Sequence, residues 1–129
     1  MTRRAVSTSA APSAVGPYSQ AIATGDFVFC AGQVGLDPAT GNLVDGGLEA
    51  QTARALRNLE AVLDAAGCTF ADVVKTTCFL IDISDFAAFN AVYAGFMSDP
   101  PPARSTFAVA ALPKGARVEI EAIAVRNRA

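Results

Sequence analysis

The chain has 129 residues, with ten Lys and Arg against twelve Asp and Glu, and neither histidine nor tryptophan. Without histidine there is no Ser-His-Asp or Cys-His nucleophile system and no His-ligated metal; proton chemistry falls to carboxylates, hydroxyls, thiols, lysine, backbone groups or water. A net charge of −2 and a pI near 4.9 argue against a general nucleic-acid binder, whose footprint is basic.

The predicted elements run as follows. Residues 3–8 form a short strand and Ala11 to Gly16 a loop. Ser19 to Thr24 is a strand, Gly25-Asp26 a turn, and Phe27 to Val34, rich in β-formers, a central strand. Asp37-Pro38-Ala39-Thr40-Gly41 suits a type I turn with a left-handed closing residue, after which Asn42 to Val44 returns as a hairpin partner. Leu48 to Ala66 is a helix with Leu48, Ala55, Leu59, Val62, Leu63 and Ala66 near one face, stopped by Gly67. Val73 to Ile81 is a strand. Asp82 to Asp85 reads as an N-cap and acidic first turn, and Phe86, Phe89, Asn90, Tyr93 and Met97 keep helical spacing until Asp99-Pro100-Pro101-Pro102. Arg104 to Ala110 and Ala116 to Arg126 are strands joined by a turn at Pro113-Lys114-Gly115.

Strands interleaved with two long amphipathic helices predict a single α+β domain, 1–129, with both helices on one sheet face. The composition is 52% hydrophobic and 17% charged, against roughly 25% charged in average domains. Too little charge remains to cover so small a surface, so the uncovered sheet face is expected to pack against other copies. Cys30, Cys68 and Cys78 have no metal spacing; Cys30 and Cys78 sit in apolar strand-like runs, which predicts buried thiols and a reducing cytoplasm. No apolar run approaches a membrane span of about 18 residues. Residues 1–15 lack acids and contain Ser and Arg, a pattern also compatible with an organellar presequence.

Charge is uneven. Asp64, Asp72, Asp82, Asp85 and Asp99 face Lys75 alone, whereas Arg104, Lys114, Arg117, Arg126 and Arg128 outnumber Glu119 and Glu121. That admits a local anion site or solvated surface charge. In the strand from Arg104, Arg104 and Thr106 point one way and Phe107 and Val109 the other. With Phe107 and Val109 expected against the helices, Arg104 and Thr106 are expected on the uncovered face, Arg104 as a rim ion pair or a bidentate carboxylate clamp. Glu119 and Glu121 share one face of the last strand, roughly 7 Å apart. They are either solvated or paired with arginine, or their partial burial and repulsion raise one pKa toward a usable acid or base. Asn90, in an aromatic stripe, is a structural amide or a pocket group. Tyr18 is a packing residue or a pocket donor; Gly32 marks a bulge or a close backbone approach. No dinucleotide or P-loop fingerprint occurs.

Taken together, Gly16-Pro17-Tyr18-Ser19-Gln20-Ala21, Ala31-Gly32-Gln33, Asp37 to Gly41, Val74-Lys75-Thr76-Thr77, Phe86 to Tyr93, Pro102-Ala103-Arg104-Ser105, Leu112-Pro113-Lys114 and Val118 to Val125 resemble the RidA (YjgF/YER057c/UK114) family. The match runs nearly end to end. The resemblance implies a chorismate-mutase-like α+β layer, a homotrimer with sheets around a central barrel, and ligand sites between subunits. It implies cofactor-independent hydrolysis of 2-imino or enamine acids, such as 2-aminoacrylate and 2-iminopropanoate, to 2-keto acids and ammonia. Arg104 would anchor the carboxylate and Glu119 would orient or activate water. Tyr18, Gly32, Asn90 and Thr106 would line the pocket, with no metal. A pocket serine of well-known bacterial members is replaced by Ala31 and a cysteine by Thr106, and the loop before Arg104 is shorter; these departures bear on substrate range and rate. A carboxylate-binding regulator without turnover and a ribonuclease or translation inhibitor are the competing functions, the latter disfavoured by the acidic pI and missing histidine.

Overall fold

A computed structural model of the chain describes residues 2–126, so Arg128 of the C-terminal basic cluster lies outside the described residues. Its strands are β1 (Arg3–Val6), β2 (Ala21–Thr24), β3 (Phe27–Val34), β4 (Val73–Leu80), β5 (Ala103–Ala108) and β6 (Val118–Val125). The helices are α1 (Gly47–Ala65) and α2 (Phe86–Ala94). One mixed sheet has the order β1-β2-β3-β6-β4-β5. β4 and β5 are parallel, joined through α2, and every other neighbouring pair is antiparallel. The chain is therefore α+β, with both helices on one face of the sheet.

Strand alternation and helix periodicity meet in one core. Val28, Cys30, Cys78, Leu80, Val118, Ile120, Ala122 and Ala124 turn inward from the sheet, against Leu48, Ala55, Leu56, Leu59, Val62 and Leu63 of α1 and Phe89 of α2. Fully burying a Leu or Phe side chain stabilises by about 1.5–3 kcal/mol, so this layer dominates the stability. Gly67, at φ 80°, ends α1 where an L-residue would be strained. Polar side chains fasten the loops to this core. The buried Asn58 donates from Nδ2 to the carbonyls of Val34 and Leu36, at 3.1 and 2.9 Å. Gln51 Oε1 accepts from the Arg117 amide at 2.9 Å. Gln20, also buried, donates to the Thr8 and Pro12 carbonyls and accepts from the Thr8 amide, pinning the N-terminal loop beneath Tyr18.

Two expectations need correction. The second helix stops at Ala94 rather than running through Met97. Gly95, a poor helix former, follows, and the amides of Gly95 and Phe96 reach back only three residues, to Val92 and Tyr93. Phe96 then turns its ring edge toward Phe70 and receives the Arg57 guanidinium. The second correction concerns β5. Its alternation is as expected, but its faces are reversed: Arg104 and Thr106 lie on the helix side, and Phe107, 45% exposed, lies on the open side against Phe79. The parallel ladder shows why. Thr76 and Cys78, both inward-facing, are the lateral partners of Arg104 and Thr106, and lateral partners share a face.

The open face carries Phe27 and Phe29, stacked at 6.0 Å, together with Phe79, Phe107 and Ile123. Phe27, Phe29 and Phe107 are each more than two-fifths exposed. Cys30 and Cys78 are buried free thiols, burial pushing them up to about 12 and about 11; Cys68 is buried as well. Among the described residues no helix is long and apolar enough to cross a membrane.

Candidate functional site

Two clefts hold the residues singled out from the sequence, and the sheet lies between them. The first, of about 360 Å³, is lined by Tyr18, Gly32, Val34, Thr40, Lys114 and Glu119, among others. The second is a groove beside α2 lined by Asn90, Tyr93, Met97, Asp99, Pro102 and Arg104. Tyr18, Gly32 and Glu119 are thus brought together, and so are Asn90, Arg104 and, behind them, Thr106. One chain does not join the two groups.

Glu119 projects from β6 on the open face, paired laterally with Phe79 and Val34. It is half-buried, and burial followed by the negative charge of Glu121 raises its carboxyl above the usual 4.5. This is the outcome that the two-carboxylate spacing left open. Its alternative, pairing with arginine, is not found: Arg117 bonds Asp85 at 3.0 Å, and Arg126 donates to the Gly25 carbonyl. Gly32 makes the room that Glu119 occupies. A Cβ on Gly32 would lie 2.7 Å from Glu119 Cδ, too close for any side chain. Here β3 carries one residue more than β6, because Cys30 pairs with Ala122 but Gln33 with Ile120. This bulge brings the Gly32 backbone under the carboxylate. Gly32→Ala should therefore push Glu119 toward solvent. A carboxyl-carbon NMR titration should show its pKa falling back toward 4.5; an unchanged titration would mean that the glycine does not seat the group.

Tyr18 stands in the loop held by Gln20. It is half exposed, with its hydroxyl 3.4 Å from the Val15 amide. It is a donor at the cleft mouth rather than a packed core ring. Lys114, at φ 63° in the turn before β6, reaches the Gly41 carbonyl at 3.4 Å and bridges two loops that frame this cleft.

In the groove, Arg104 makes no ion pair among the described residues, although Asp99 lines the same rim. Its guanidinium lies over the rings of Tyr93, Phe86 and Phe89, at 4.8, 5.5 and 5.6 Å. Asn90 Oδ1 and Thr106 Oγ1 are buried beside it with no hydrogen-bond partner, a cost that an incoming polar group would relieve. Asn90 is thus not tied to a neighbouring loop through its buried oxygen. Sequence reading missed the Thr76 hydroxyl, 2.7 Å from the Tyr93 hydroxyl in the buried interior behind Arg104. A threonine on a predicted strand carries no signal for this, but its lateral register with Arg104 does. Among the described residues no group of three or more Cys, Asp or Glu is placed to hold a metal ion.

One cleft thus offers a half-buried carboxylate with a raised pKa, and the other an unneutralised guanidinium with orphaned polar neighbours. A carboxylate ligand with a reacting centre a few ångströms from its anchor needs both. A family model described as Endoribonuclease L-PSP matches residues 8–126. The 2-iminobutanoate/2-iminopropanoate deaminase of Capra hircus is 52% identical over 127 residues, covering 98% of this chain and 93% of its own. Among solved structures, RidA from an Antarctic Psychrobacter is similar at a TM-score of 0.91 and 46% identity, over 95% of this chain and 98% of that one. TdcF of E. coli, solved with bound serine, is similar at 0.91 and 40% identity, over 96% and 99%.

Proposed function

The chain belongs to the Endoribonuclease L-PSP family, and from that premise we propose that it hydrolyses 2-imino and enamine acids to 2-keto acids and ammonia. The observation that carries this reading is the Arg104 guanidinium, free of any carboxylate partner and bordered by orphaned polar atoms. Deaminases at about half identity over nearly the whole chain support the substrate class.

In this reading Arg104 grips the substrate carboxylate with two parallel N–H bonds. Glu119 takes a proton from water as the water oxygen bonds to C2 of the protonated imine. The resulting carbinolamine receives that proton on nitrogen, its C–N bond breaks, and ammonia leaves as the C2 hydroxyl becomes the keto group. Carbon keeps its oxidation level, so no electron carrier takes part. Tyr18 or Thr106 hydrogen-bonds the reacting centre. Positioning and one proton-transfer group suffice, the latter contributing typically ~10²–10⁴-fold.

Because Arg104 and Glu119 lie on opposite faces of their own sheet, the complete site is built between copies. The open aromatic face supplies the contact, and a homotrimer closes it. The buried thiols favour a reducing cytoplasm.

The test generates imino acids in situ with an amino-acid oxidase and follows keto-acid appearance. Acceleration over the uncatalysed rate across several amino acids is expected; its absence would leave a carboxylate-binding regulator, the reading that the serine bound to TdcF favours. Cleavage of RNA is disfavoured by the adjacent Glu119 and Glu121 and the overall charge of −2. The pH dependence follows from Glu119. As a base it must be ionised, and its raised pKa means that it protonates sooner as pH falls. The acid limb of kcat/KM should therefore lie above 4.5 and vanish in Glu119→Gln. A limb at or below 4.5 in the wild type would remove Glu119 from the base role.

A further inference from the structure

Arg104 is a partly buried cation held by ring faces instead of acids. Ring faces attract a guanidinium without occupying its in-plane N–H donors, whereas a carboxylate partner would use them and compete with substrate. The three rings are not equivalent. Phe86 is 38% exposed and Phe89 is fully buried core. Tyr93 is the nearest, at 4.8 Å, and only its ring is fixed by a polar bond, the hydroxyl contact to Thr76 Oγ1 at 2.7 Å. Thr76 is completely buried and is the lateral partner of Arg104 across the β4–β5 ladder. The register that places the arginine therefore also places the anchor of its cradle.

We propose that Tyr93, locked by Thr76, is a positioning residue that presents the donor edge of Arg104 to the substrate carboxylate. This rests on the carboxylate-anchoring reading above and deepens it. Tyr93 acts through Arg104, so its removal should weaken capture and spare the chemical step.

The experiment pairs kinetics with ¹⁵N NMR of the Arg104 Nε–H group, assigned by its loss in Arg104→Lys. In the wild type that proton should be shifted upfield by the ring currents, and should move again on titration with pyruvate, a plain 2-keto carboxylate. In Tyr93→Leu the upfield shift should largely disappear, pyruvate binding should weaken about tenfold and KM should rise about tenfold, with kcat within about twofold. Tyr93→Phe and Thr76→Val each remove only the lock. Each should raise KM about two- to threefold, and the double variant no more than either alone, because both break one bond. Should Tyr93→Leu fail to fold, these two milder variants decide the matter. An unchanged Nε shift and KM in folded Tyr93→Leu, additive effects in the milder pair, or a fall in kcat at constant KM would each overturn the proposal. If the wild type turns over no imine, the Nε shift and pyruvate titration still test the cradle while the deaminase reading alone fails.

Discussion

Arg104→Ala should lower kcat/KM for 2-imino acids by about 10²–10³-fold, mostly through KM. Two charge-assisted hydrogen bonds to one carboxylate are worth about 3–4 kcal/mol together, and about 1.4 kcal/mol is tenfold. Arg104→Lys keeps the charge but loses the fork and should fall between, at about ten- to fiftyfold. Stability should change little for either, because Arg104 has no carboxylate partner to leave unpaired. Oxidase-coupled keto-acid kinetics and a thermal melt read both expectations. A loss confined to kcat, with KM intact, would take the anchoring role from this residue.

The second expectation concerns a mixture of inactive proteins. Arg104→Ala and Glu119→Ala, co-refolded in equal amounts, should recover about one quarter of wild-type activity. In a site built between neighbours, Arg104 comes from one copy and Glu119 from the next. With random assembly half the copies at each position are intact, so about a quarter of sites carry both groups. If one chain held the whole site, mixing would restore nothing beyond the sum of the two variants. Sedimentation should give three copies for the wild type. Phe107→Asp, which sets a charge into the open aromatic face, should give single copies without activity.

The sequence made the layers legible because its signals there were redundant. Alternation in β3 and β6 and the 3.6-residue stripe of α1 each point to the same core. It also exposed the groups with chemistry, since Arg104 after a proline run and two carboxylates in an apolar strand break local pattern. It failed on β5 for a reason of principle. Alternation fixes which residues share a face but not which face is the core, and Phe107 was taken as the core marker. In a chain whose outer sheet face is itself aromatic, an apolar residue marks either side; the arginine went inward because three rings of α2 receive it. Backbone closeness was equally hidden. Gly35 abuts the Gln51 backbone of α1, where a Cβ would lie 2.7 Å from Cα, and nothing in the local sequence announces that approach. The separation of Arg104 from Glu119 could not be read until the order of the strands was known, because it depends on which side of one sheet each falls.

The extra residue of β3 has a wider consequence. Between Cys30 and Gln33 the strand behaves like a reading frame: four residues before the bulge are in one phase with β6 and those after it are in the other. Deleting one residue there would restore a regular ladder and exchange the sides of everything upstream, turning Phe27 and Phe29 into the core and Val28 and Cys30 out of it. The turn at residues 37–41 carries no such phase, since its ends meet again at Leu36 and Leu43 whatever its length. Insertions and deletions should thus be absorbed at the turn and refused at the bulge, which makes the length of this short stretch, more than its composition, what the fold inherits intact.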